Sequence, residues 1–220
     1  MNPVLVVTGL KREAAALPGG GIAVLAGGGA PERLAAELAG LAPRAAGIVS
    51  FGMAGALDPA LKLGQWVVGD RLTGACDCAC DPLWTAALAR SLPGARIGAV
   101  YGDGRMIADP AGKQALGARH GALIADMESH VAAAAAVCAG LPFAVLRCVS
   151  DEAGAGLPPA ITVAMRPGGG LALGAVLGSI LAHPGQIPAL IASVRGFSRA
   201  YRALKAGARA VGPRLAFDRR

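Results

Sequence analysis

Seven short runs of almost wholly apolar residues punctuate the chain: PVLVVTG (3–9), IAVLAGG (22–28), AGIVSFG (46–52), WVVGD (66–70), IGAVYGD (97–103), GALIADME (121–128) and PFAVLRCVSD (142–151). Runs this short and this continuous read as strands buried on both faces. Between and after them lie Ala/Leu-rich stretches of helical length, 31–41, 82–92, 109–119, 129–139, 171–182 and 196–210. Pro31 and Pro82 suit first helical turns and Gly140 a helix end. The pattern predicts a single α/β domain of three layers, α/β/α, around a mixed, mainly parallel central sheet. Residues 1–182 would form this body and residues 183–220 a basic helical extension packed on or beside it.

Glycines gather where the apolar runs end, at Gly9, Gly27 to Gly29, Gly52, Gly55, Gly102 and Gly104. Ligands of such sheets bind at the carboxyl ends of strands. Two of those ends also carry acids. Asp126 and Glu128 interrupt GALIADMESHVAAAAAVCAG (121–140), and Ser150-Asp151 ends the next run, four residues after Arg147. Charges in such surroundings are costly unless paired or used. If 121–128 is all strand, Asp126 and Glu128 point to one side. Helix capping would explain one of these acids but not the whole set.

At 220 residues and 54% hydrophobic content, the chain is ample for one large core and too apolar for disorder. No basic leader precedes the first apolar run, which predicts a cytoplasmic protein. The longest uncharged C-terminal stretch, 171–194, is broken by His183, Pro184, Gln186 and Pro188. Its unbroken part is shorter than the ~20 residues a spanning helix needs, so a packed or membrane-surface helix is expected. The five cysteines read as reduced thiols. Cys76, Cys78 and Cys80 lack the spacing of a zinc site, and no metal is expected.

Charge is unevenly placed. Residues 1–165 carry 12 Lys/Arg against 13 Asp/Glu, whereas residues 166–220 carry 9 against 1. Few aromatics accompany the tail cations, which argues against nucleic acid. Segment 195–209 sets Arg195, Arg199, Arg202 and Arg209 among Phe197, Tyr201 and Leu204. It reads either as an amphipathic helix docking at the inner face of the cytoplasmic membrane or as a last helix packed on the sheet.

Three segments in order, SFGMAGALDPALKLGQWVVGD (50–70), ADMESHVAA (125–133) and PFAVLRCVSDEAG (142–154), resemble the nucleoside phosphorylase superfamily, which includes purine nucleoside phosphorylases and methylthioadenosine/adenosylhomocysteine nucleosidases. With HPGQIPALIASVRGFSRAYRAL (183–204), the chain looks most similar to the hopanoid-associated phosphorylases. That resemblance implies phosphorolysis of adenosylhopane to adenine and a phosphorylated ribosylhopane, with inorganic phosphate as co-substrate and no cofactor. It also implies a homo-oligomer, a dimer being favoured.

Residue roles follow from the resemblance. Glu128 would take the ribose hydroxyls, and Met127 would pack on the sugar or simply fill core. Asp151, oriented by Ser150, would protonate the purine N7. A proton donor at neutral pH needs a raised pKa, which an apolar strand end can supply. Ala54, Gly55 and Met106 would lie near the base. Asp126 would be structural, and Arg147 a phosphate or a structural cation.

Glu13 matches the water-activating acid of the nucleosidases. Lys11 and Arg12 beside it suit phosphate instead. Gly28 and Gly29, with Gly27, would form a phosphate loop or a plain tight turn. Arg33 and Arg105 are further phosphate candidates. One departure is Met53, where the family often has a hydroxyl that meets phosphate; another is Arg105-Met106, where it often has an aromatic. The competing expectations are a hydrolytic nucleosidase and a non-catalytic protein that binds a nucleoside-lipid.

Overall fold

A computed structural model describes residues 2–163 and 172–218. Eight strands form one sheet: β1 (Val4–Thr8), β2 (Ile22–Ala26), β3 (Gly47–Ala56), β4 (Trp66–Gly74), β5 (Cys78–Ala79), β6 (Arg96–Gly102), β7 (Ala122–Asp126) and β8 (Phe143–Asp151). Eight α-helices accompany them: α1 (Lys11–Ala14), α2 (Pro31–Leu41), α3 (Pro82–Ser91), α4 (Pro110–His120), α5 (Ser129–Ala139), α6 (Pro159–Thr162), α7 (Leu173–Ala182) and α8 (Ile187–Val211). Leu171, the expected start of α7, lies outside the described residues.

The sheet is mixed and mainly parallel, as its sequence suggests. β1 pairs in parallel with β2 and β3, β3 with β8, and β6 with β4 and β7. Antiparallel pairing joins β3 to β7, β4 to β5 and β4 to β8. The circuit β3–β7–β6–β4–β8 therefore closes on itself, a curl that periodicity alone does not announce. β3 is central because its ten residues have three partner strands.

Alternation along the strands builds two main cores. Leu5, Val7, Ile48, Val145 and Val149 face one side, with Leu34 and Leu38 of α2 and Ala132 and Ala136 of α5. Val4, Val6, Phe51, Leu146 and Cys148 face the other, with Trp84 and Leu88 of α3 and Ala200, Leu204 and Ala208 of α8. The strands are apolar throughout because both faces are covered.

α8 runs down the outside of β8. Its Gly196 lies near the Ser150 carbonyl, and its Gly207 lies so close to the Trp66 indole that an added Cβ would come within 2.2 Å of the ring. Trp84 Nε1 donates to Leu215 O at 2.7 Å and fixes the chain after the helix. Two features differ from the sequence expectation. α8 begins at Ile187 rather than near 196, and the Cys76–Cys80 segment contains the short strand β5 instead of being all loop. Among the described residues no single helix is long and apolar enough to cross a membrane.

Candidate active site

The carboxyl ends of β1, β3, β7 and β8 converge. β1 passes through Gly9 into the single turn of α1, which carries Glu13 inward. Glu13 Oε2 accepts from the Gly9 and Leu10 amides at 2.9 and 2.8 Å, and its Oε1 accepts from the Met53 amide at 2.7 Å. These bonds tie the start of the chain to the end of β3. Gly52 passes so close that a Cβ there would lie 2.7 Å from Glu13 Oε1 and 2.8 Å from Arg147 Nη1. A carboxylate offers about four acceptor positions, so Glu13 keeps roughly one for another donor.

Arg147 of β8 is the cation beneath this group, and only 1% of it is exposed. Its Nε pairs with Asp126 Oδ2 at 2.9 Å and its Nη2 with Glu128 Oε2 at 3.6 Å. Nη2 also donates to Ser50 Oγ at 2.5 Å. Three buried acids thus share one arginine. Of its two expected roles Arg147 fills the structural one, a cation beneath these acids whose Nη1 reaches Met53 O at 3.4 Å.

β7 ends at Asp126, so Glu128 does not continue the strand as expected. Asp126 turns to accept from the Glu128 amide at 3.0 Å, the Ser129 amide at 2.8 Å and the Ser129 hydroxyl. It caps α5 as well as pairing with Arg147. Glu128 then swings against Gly9 and Gly27; a Cβ on Gly9 would come 2.9 Å from its Oε1.

Burial pushes the Glu128 carboxyl up to about 8, against the pull of Arg147, with Asp126 and Glu13 adding to the rise. Burial likewise raises Glu13, opposed by Arg147 and its amide donors. When protonated, Glu128 offers one donor besides its acceptors.

Asp151 ends β8 on the far side of β3. Its Oδ1 lies 2.8 Å from Ser150 Oγ, which is also 3.2 Å from Ala54 O. Gly55 packs beneath it, where a Cβ would approach Oδ2 to 3.0 Å. The surroundings are not the apolar ones expected. Lys113 of α4, 1% exposed, sits 2.5 Å from Asp151 Oδ2. Its other donors meet Glu152 O at 3.1 Å and Ala155 O at 2.9 Å, so the ammonium is fully satisfied.

Lys113 escaped the sequence reading because α4 looks like a solvated helix. The available signal was its position three residues before Leu116, on the face that packs. His130 also went unnoticed. Its ring abuts Gly104, and its buried Nδ1 has no hydrogen-bond partner among the described residues.

A small cavity opens beside Glu128, lined by Gly27, Gly29, Leu34, Gly104, Met127 and the start of α2. Gly28 and Gly29 have φ of 58° and 70°, a left-handed turn that aims the chain into α2. Arg33 Nη2 donates to Ala26 O and Gly27 O at 3.0 and 3.2 Å and braces that turn.

The other cations are elsewhere. Arg12 lies over the Tyr201 and Phe197 rings, 4.4 and 5.8 Å from their centroids. Arg105 is exposed and pairs with Asp103 at 2.6 Å. Each is thus held by partners other than the three buried acids. Met106 is half-buried in the loop between β6 and α4. Among the described residues no group of three or more His, Cys, Asp or Glu side chains could hold a metal ion.

Solved structures share this architecture. The S-adenosylhomocysteine nucleosidase of Streptococcus pyogenes, in complex with 5-methylthiotubericidin, is 18% identical with a TM-score of 0.63, covering 94% of this chain and 95% of its own. The 5′-methylthioadenosine/S-adenosylhomocysteine nucleosidase of Neisseria meningitidis, in complex with methylthio-immucillin-A, is 14% identical with a TM-score of 0.68, covering 98% of each chain. Futalosine hydrolase of Helicobacter pylori is 13% identical with a TM-score of 0.66, covering 96% and 95%. At these identities the likeness is one of fold. No curated protein sequence matches the chain. Residues 6–164, most of the chain, match the sequence model of the phosphorylase superfamily, and the chain belongs to that family.

Proposed function

We propose that the chain cleaves the N-glycosidic bond of an adenosine bearing a large apolar 5′ group, adenosylhopane being the expected substrate, with phosphate as nucleophile. One observation carries the reading: Gly52 to Gly55 of β3 runs from Glu13 to Asp151, and Glu128 pairs with the Arg147 that abuts Gly52. Three residues of strand span about 10 Å, a length that suits a ribose at one end and a purine at the other.

In this scheme Glu128 meets the ribose hydroxyls with its donor and acceptors, and its ionisation offsets positive charge gathering on the sugar. Met127 lies against the sugar's apolar side. Negative charge builds on the departing base, and a proton of the Lys113–Asp151 pair passes through Asp151, oriented by Ser150, to N7, leaving Lys113 neutral beside the Asp151 carboxylate. Such acid assistance contributes about 10²–10⁴ in rate.

The start of α2, with Gly27 and Gly29, opens into the cavity beside Glu128 and favours an anion there. A hydrolytic reading has its own support. Glu13 is a raised, buried carboxyl with an acceptor position to spare, and Arg12 and Arg105 point away from it.

Free adenine, measured from adenosylhopane or a 5′-alkyl adenosine with and without phosphate, tests both. Phosphate-dependent release with a sugar 1-phosphate is expected. Release indifferent to phosphate makes Glu13 the water-activating base, and no release from any adenosine overturns the catalytic reading.

A further inference from the structure

α7 buries no residue, an unusual state for a ten-residue apolar helix. Leu173, Leu177 and Leu181 stand at 65, 62 and 83% exposure, spaced four apart and therefore on one stripe. α8 meets α7 at a bend of 110° and presents Ile187, Ile191 and Val194, all exposed.

At about 100° per residue, those three positions and then Arg195, Arg199, Arg202, Lys205 and Arg209 fall within roughly 140° of arc. The outward stripe of α8 thus passes without a break from apolar to cationic, while Gly196, Ala200, Leu204 and Ala208 face the sheet. No Asp or Glu occurs anywhere from 153 to 217.

The wedge is braced. Gln186 at the bend accepts from the Ala160 amide at 2.8 Å and donates to Ser179 O at 2.8 Å. It also stands at the site end of β8, because Gly196 is the residue of α8 that lies near the Ser150 carbonyl.

We infer that α7 and the first turns of α8 dock on an anionic lipid bilayer, the leucines entering the acyl boundary and the arginines resting among the phosphates. Exposed apolar surface of this extent needs a cover. A second copy of the chain would bring two rows of like charge together with no carboxylate between them. A bilayer supplies apolar interior and anionic surface in that order, and interfacial helices bind by both. Docking there would bring the Asp151 end of the sheet close to the membrane, whichever nucleophile the site uses.

The test is co-sedimentation of the intact chain with phosphatidylcholine vesicles, alone or with about one lipid in three replaced by phosphatidylglycerol. Binding is expected only with phosphatidylglycerol. Each cation near such a surface contributes about fivefold to partitioning, so the triple variant R195Q/R199Q/R202Q should lose about 100-fold. The variant L177S/L181S should lose about tenfold or more per leucine. High salt should release the protein, since screening shortens to about 4 Å near 0.5 M. Equal pelleting with and without the anionic lipid, or none with either, overturns the inference. So does a dimer in light scattering that L177S/L181S converts to monomer while the intact chain ignores vesicles, because the face then belongs to a second copy.

Discussion

Beneath the site, Glu13, Asp126 and Glu128 crowd around one buried arginine; on the outside of α8, five exposed cations stand in a row with no acid on their helix. The two regions hold charge in opposite ways. Inside, each group has fixed partners at known distances, and losing one leaves the others stranded in a low-dielectric interior. Outside, no single cation is indispensable, and the row acts through its sum, screened by salt. Inner charges should therefore respond to single substitutions and to pH, and outer ones to counting and ionic strength.

Three experiments can break that contrast. Arg147→Met removes the cation shared by three buried acids. It should cost about 3–5 kcal/mol of stability, read as a lower urea midpoint, since removing one partner of a buried pair leaves uncompensated charge. A midpoint within error of the parent would mean that the acids are neutral or hydrated and need no cation.

Asp151→Asn keeps the shape but loses the proton. Single-turnover adenine release should fall by about 10²–10⁴ with substrate affinity little changed. Unchanged release would remove Asp151 from the chemistry.

The mildest effect should be on pH dependence. Glu128 is raised from 4.5 to about 8 in the fold, so the folded chain binds more protons than the unfolded one between those values. Stability from this group is complete below about pH 4.5 and declines as pH rises toward 8. Burial acts in the same direction on Glu13. Glu128→Gln should remove a few kcal/mol of the stability otherwise lost over that window, read from urea unfolding at each pH. A parent protein that gains stability from pH 5 to 8 would contradict the assigned environment.

The elements were legible where residues punctuate them. The bounds of α2 and α5 follow from Pro31 and Gly140, and all seven apolar runs are strands. The very short α1, α6 and β5 were not legible, because two to four residues carry no period.

Within the site, the sequence order brought Glu13, Glu128 and Asp151 into view but misjudged their neighbours. Arg12 precedes Glu13 directly, yet successive helical side chains diverge by about 100°, so one meets Tyr201 and the other the sheet. Lys113 meets Asp151 across 38 positions of chain, a partnership that only the packing of α4 creates.

The closed circuit of strands has a consequence for life at high concentration. A strand with a free side can recruit a strand from another molecule, the first step of many insoluble assemblies. Here β3, β4, β6, β7 and β8 satisfy one another around the ring, and β1 is flanked on both sides. Among the described residues only β2, five residues long, and β5, two residues long, border the sheet. A chain with more than half its residues apolar thus leaves little backbone for a stranger to pair with, and α7 is where its stickiness is concentrated.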